Sequence, residues 1–318
     1  MANRLRGLLA VLALWSGLLQ AAQPGVVFIP KGASHVFWKE MARGAQNAAL
    51  GLDINLVWRG PALEKDAVSQ AKLMTYYNGK GMAGMIVAPN AAAPLLQPLQ
   101  SAQKAGSKLV IVDSPLQPSL GLPYVGTNNR TAGEMAADYA ATLKPPPRKV
   151  LLLRFSSLHD STRERENAFR DRMRQLLPAV QIDDIADTGI TVADSRDKAV
   201  AVLAHAGDAD LIFTPNESTT EGAIQALQQS GLAGKLRHIG FDYSPLIDKS
   251  LRAGTLQAAI TQDPYQIGVR AVTVISDLLQ KKPVAATYYI PATLVTLPSL
   301  SQPVIDARLR PFLEYMAR

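Results

Sequence analysis

Cysteine is missing altogether from the 318 residues. That excludes disulfides, Cys-ligated zinc, iron–sulfur clusters and thiol catalysis. It also excludes a lipoprotein anchor, which is attached through a cysteine at the processing site. Histidine is scarce: His35, His159, His205 and His238 stand far apart, with no metal-ligand spacing. No metal and no cofactor is expected. There is no Walker A loop, no Gly-x-Ser-x-Gly elbow and no His-Glu-x-x-His. Gly79 to Gly84 has the spacing of a dinucleotide fingerprint, but it follows a helical pattern and opens a strand. Phosphate binding needs the reverse order, with the loop feeding a helix N-terminus. Asp183-Asp184 reads as a surface pair. With no nucleophile or acid–base pair nominated, the chain is not expected to be an enzyme.

Long apolar runs are also missing after the first twenty residues, so no later stretch reaches the ~20 residues of a membrane span. At the start, Arg4 and Arg6 precede a run from Leu8 to Leu19, and Ala21 and Ala22 follow it. A positive end, a short apolar core and small residues are the order of a secretory signal peptide. Residues 1–22 are expected to be removed, leaving an exported, soluble periplasmic chain. The net charge is +7, yet the basic residues are scattered and often beside acids, as in Arg163-Glu164-Arg165-Glu166. That pattern reads as solvated surface and not as a nucleic-acid footprint.

What remains is an alternation. Val26–Pro30, Ile54–Trp58, Met85–Ala88 and Leu109–Val112 read as short buried strands, separated by helical patterns over 37–50, 67–77 and 94–105. After Lys144-Pro145-Pro146-Pro147-Arg148 the alternation restarts. Strands are expected at Val150–Phe155, Leu211–Phe213, His238–Phe241 and Leu256–Ile260. Helices are expected over 163–177, 195–206 (with Asp194 as its cap), 218–230 and 265–279. This predicts two α/β units with parallel sheets. In such sheets ligands bind beyond the carboxyl ends of the strands. The polar residues there are His35, Asn90, Asp113, Asn216 and Asp242.

Several ordered segments resemble the type I periplasmic binding proteins, in particular the ribose-binding-like sugar receptors of ABC transporters. They are Ile29-Pro30-Lys31-Gly32 continuing to Gly44-Ala45, Ile86 to Asn90, Ile111 to Ser114, Gly126 to Asn129, Ser161 to Phe169, Ile212 to Ser218, Ile239 to Asp242, and Gln262-Asp263-Pro264 with Gly268. The resemblance implies two Rossmann-like lobes joined by a three-strand hinge. The first would comprise 25–127 plus 264–288, and the second 128–263 plus 289–318. It implies a sugar or polyol in the cleft and adds Phe37, Trp38, Arg163 and Gln262 to the ligand-binding set. Phe37 and Trp38 would offer flat apolar faces to the sugar's C–H groups, although Trp38 reads equally as helix core. Arg163 would donate in fork geometry. Ribose-type members carry arginine directly after the aspartate that matches Asp113; here Ser114 stands there, so ribose itself is not implied. The expected partner is an inner-membrane ABC permease, or alternatively a membrane sensor, with the receptor a monomer. Repressors of the same fold begin with a helix-turn-helix; here the signal-peptide pattern stands in that place, so DNA binding is not expected.

Overall fold

The computed structural model describes residues 23–33 and 35–314. The signal-peptide reading falls on residues 1–22, outside the described residues. In chain order the first elements are β1 (Gly25–Ile29), α1 (Val36–Gly51), β2 (Asn55–Trp58), α2 (Ala67–Gly79), β3 (Gly84–Val87), α3 (Ala92–Lys104), β4 (Lys108–Val112) and β5 (Tyr124–Gly126). Then come α4 (Asn129–Thr142), β6 (Lys149–Leu153), α5 (Asp160–Leu176), β7 (Gln181–Ile185), α6 (Val192–Leu203), β8 (Leu211–Phe213), α7 (Glu217–Gln229), β9 (Arg237–Phe241), α8 (Pro245–Arg252) and β10 (Ala258–Thr261). The chain closes with α9 (Pro264–Leu279), β11 (Thr287–Tyr289), β12 (Thr293–Val295), a 3-10 turn at Pro298–Ser301 and α10 (Pro303–Leu313).

Two six-stranded sheets result, ordered β11-β5-β4-β3-β1-β2 and β12-β10-β9-β8-β6-β7. All pairings are parallel except β10 with β12. The run of apolar residues in β1 follows from its burial on both faces. Val26 and Phe28 pack toward α1 and α9, while Val27 and Ile29 pack toward α2 and α3. In β6, Val150 and Leu152 face α4 and α5, and Leu151 and Leu153 face α6 and α7. Helices α1 and α9 meet almost backbone to backbone. A Cβ on Gly44 would sit 2.1 Å from the Tyr265 carbonyl oxygen, and one on Gly268 would sit 2.2 Å from that of Met41. Only glycine allows this approach.

The chain passes from the first sheet to the second after β5, returns between β10 and α9, and passes again between β11 and β12. Strands β7, β11 and β12 and helix α10 carry no clear hydrophobic pattern and were not expected. The Asp183-Asp184 pair lies on β7, an edge strand, where Asp183 pairs with Lys149 and Asp184 with Arg154. The cap of α6 is Thr191 and not Asp194; Asp194 completes a reciprocal capping box three residues on. In both sheets the strand order reverses beside the first strand of the unit, β1 or β6. The two sets of strand carboxyl ends face one another across a cleft.

Candidate functional site

The cleft holds a pocket with about 370 Å³ of unfilled space, part of it open to solvent. Its first wall is built from Lys31, His35, Phe37, Trp38, Glu64 and Asp113. Its second wall is built from Phe155, His159, Ser161, Thr162, Arg165, Asn216, Glu217, Asp242 and Gln262. Asp113 follows β4 and Asp242 follows β9, and both have left-handed backbones, with φ of 62° and 67°. Positive φ is costly for a residue with a Cβ, though aspartate tolerates it better than most, and such strain concentrates at functional sites. Here it turns two carboxylates off matching strand ends into the same space.

Each carboxylate is held differently. Asp113 pairs with the ammonium of Lys31 at 2.6 Å. That ammonium also donates to Ser114 Oγ at 2.6 Å and Ser161 Oγ at 3.3 Å. A cation therefore stands beside Ser114 after all, supplied from the end of β1 instead of from position 114. Asp242 accepts from the Glu217 backbone N–H at 2.8 Å and from Gln262 Nε2 at 2.7 Å. Burial raises the Asp242 carboxyl above the ordinary carboxylate range, opposed by the charge of Arg165. Gln262 is oriented by Thr127, whose hydroxyl donates to its Oε1 at 2.7 Å.

The nine residues expected from sequence divide as follows. His35, Phe37, Trp38, Asp113, Asn216, Asp242 and Gln262 line the cavity. Trp38 is both wall and core, 2% exposed, with its indole N–H donating to Glu64 at 2.6 Å. Asn216 lines the cavity while its side chain caps α7 by accepting the Thr219 N–H. Asn90 lies behind the wall: its Nδ2 donates to the Lys31 carbonyl at 3.0 Å, fixing the loop that carries Lys31. Arg163 is outside. Its side chain is half exposed and pairs with Asp160 one turn back on α5.

Arg165 occupies the place expected of Arg163. It is 2% exposed, donates to Asn129 Oδ1 at 2.8 Å and the Pro215 carbonyl at 3.0 Å, and stacks over the Phe241 ring at 4.1 Å. The helical period explains the correction. Phe169 is core, so the residue four before it, Arg165, shares its inward face, and Arg163, six before it, does not.

Lys31, Glu64, His159 and Glu217 were also missed as site residues. Lys31 and Glu217 adjoin residues that drew notice, Pro30 at the strand end and Asn216. Glu64 and His159 sit in loops with no pattern. Glu64 accepts from Trp38 and from His35 Nδ1 at 2.9 Å. Burial alone would lower the His35 ring, but the Glu64 hydrogen bond and charge overturn this and raise it to about 9. Glu217 is buried and pushed up to about 7 by desolvation. It accepts the backbone N–H groups of Val36 and Phe37, each at 3.2 Å.

A polar cavity between two α/β lobes joined by three crossings defines a solute receptor that encloses a small molecule. The chain belongs to the family described as periplasmic binding protein domain, whose model matches residues 26–283. Among curated relatives, the D-allose-binding periplasmic protein of Escherichia coli strain K12 is 27% identical, with 85% of this chain and 89% of that protein covered. The D-ribose/D-allose-binding protein of Pseudomonas aeruginosa is 23% identical, with 76% and 77% covered. These relatives are named as binding proteins, not enzymes. Among solved structures, an ABC transporter solute-binding protein of Agrobacterium vitis with bound D-fucose is 27% identical, with a TM-score of 0.85 and 90% and 99% covered. A periplasmic component of an ABC-type sugar transport system from Hahella chejuensis is 30% identical, with a TM-score of 0.83 and 86% and 100% covered. No helix among the described residues is long and apolar enough to cross a membrane.

Proposed function

We propose that this protein is an exported receptor that captures a neutral monosaccharide or polyol in the interlobe cavity and delivers it to an inner-membrane ABC permease. The carrying observation is the pair of carboxylates at matching strand ends, Asp113 and Asp242, sharing one cavity with Arg165 and the rings of Phe37 and Trp38. Carboxylates accept from neighbouring hydroxyls, the guanidinium donates to them, and the rings cover C–H faces. Charge favours a neutral occupant. Glu64, Asp113, Glu217 and Asp242 stand against Lys31, His35 and Arg165, leaving no surplus cation for a sugar acid or phosphate. The sugars named for the relatives support the same class.

A thermal-shift screen of the mature protein with D-allose, D-ribose, D-fucose and D-arabinose tests this. A ligand at a thousandfold excess over Kd stabilises by ~4 kcal/mol. At least one neutral sugar should raise the unfolding midpoint, and D-gluconate should not. A screen in which only charged solutes bind would overturn the reading.

A further inference from the structure

We propose that His159 is a ligand-reading residue whose Nδ1 accepts a hydrogen bond from a hydroxyl of the bound polyol. This rests on the receptor reading above and adds to it a residue that neither strand-end position nor resemblance had singled out.

The ring belongs to the cavity wall, and the residue is 1% exposed. Its Nε2 lies 3.0 Å from the backbone carbonyl oxygen of Glu64. A carbonyl can only accept, so Nε2 carries the proton. Burial, with the charge of Lys31, holds the imidazole down to about 4, so the ring is neutral near pH 7 and has one N–H. Nδ1 is then a bare lone pair. It is buried and has no partner among the described residues. A buried acceptor left unmatched costs ~1–3 kcal/mol. Within a cavity the missing donor comes from the occupant, and a sugar hydroxyl supplies one.

The tether gives this contact a second property. His159 precedes α5 on the second lobe, whereas Glu64 lies in the loop between β2 and α2 on the first. The bond that fixes the tautomer therefore exists only while the lobes are together. Closing the cleft makes Nδ1 an acceptor at the moment the sugar is enclosed, so recognition and closure reinforce one another.

Two substitutions separate reading from tethering. His159→Asn places an amide oxygen where Nδ1 was and removes the donor to Glu64. His159→Gln keeps a donor within reach of the Glu64 carbonyl and removes the Nδ1 acceptor. Calorimetry with the sugar that gives the largest shift in the screen should show His159→Gln weakened about tenfold or more, and His159→Asn weakened less. The opposite order would make His159 a tether only and overturn the inference. If no sugar binds, the receptor reading fails separately. A crystal structure of the chain grown with glycerol then decides the role of His159. A water or glycerol oxygen within about 3.2 Å of Nδ1 supports it, and Nδ1 bonded to the protein itself overturns it.

Discussion

The Glu217 carboxylate, at the start of α7 on the second lobe, accepts the backbone N–H of Phe37 at the start of α1 on the first, at 3.2 Å. The first N–H groups of a helix have no partner inside it, and the helix end carries partial positive charge. An acid from the opposite lobe answers both needs. The contact is available only with the cleft closed, so the sequence neighbour of Asn216 acts as a latch. Glu217→Ala should weaken sugar binding by about fivefold to thirtyfold, given ~1–2 kcal/mol for loss of a helix cap. Small-angle scattering should show its radius of gyration at saturating sugar equal to that of the closed wild type. Unchanged affinity would remove the latch from the account.

Arg165 and Arg163 should behave very differently. Arg165→Ala removes a buried guanidinium and leaves Asn129 Oδ1 and the Pro215 carbonyl without a donor. Sugar affinity should fall by at least about tenfold, since hydrogen bonds to charged groups contribute ~1.5–3 kcal/mol. Arg163→Ala breaks an exposed pair with Asp160 and an exposed hydrogen bond to the Ser157 carbonyl, both worth little. Its affinity should stay within about twofold of wild type. Equal losses in calorimetry would contradict the placement of these side chains.

Lys31 tests stability in place of affinity. Lys31→Met leaves the Asp113 carboxylate buried and unpaired, which costs ~3–5 kcal/mol. The unfolding midpoint without ligand should fall by roughly 10 °C. Adding Asp113→Leu to Lys31→Met should recover part of that loss, because no uncompensated charge then remains. A double variant less stable than Lys31→Met would show that the pair does not act as a unit.

The His35–Glu64 pair predicts an alkaline limb. His35 is raised from its ordinary 6.5 to about 9, mainly by Glu64 acting against burial. A raised histidine contributes stability that is complete below 6.5 and is lost as pH rises through about 9. The wild-type midpoint should therefore decline between about pH 7 and 10, and His35→Gln should flatten that decline. Parallel curves for the two proteins in calorimetric scans would rule this pair out as its source.

Export gives the last test. Arg4 and Arg6 before the Leu8–Leu19 run predict a mature chain beginning near Gln23. Mass spectrometry of periplasmic protein should show that start. An intact Met1 on cytoplasmic protein would refute it.

The two-unit α/β architecture could be read before folding because buried parallel strands leave an unambiguous trace. Val26–Ile29 and Val150–Leu153 are continuous apolar runs because helices cover both of their faces. The strand-end rule likewise brought His35, Asp113, Asn216 and Asp242 to the cavity, while Asn90, at the same offset after β3 as Asn216 after β8, turned back to hold the Lys31 carbonyl. The exposed edge strand β7 and the hinge strands β11 and β12 bury little and so left no such trace. Local order also failed to choose between Arg163 and Arg165, which share composition and neighbours. The helix phase chose, and that phase is set by which face packs on Phe213 through Phe169. Glu64 is fixed by Trp38 and His35 on its own lobe, but His159 and Glu217 meet partners 95 and 181 positions away only where one lobe closes on the other. Contacts of that separation have no periodicity in the chain, because the geometry that creates them belongs to the packed lobes and not to any one segment.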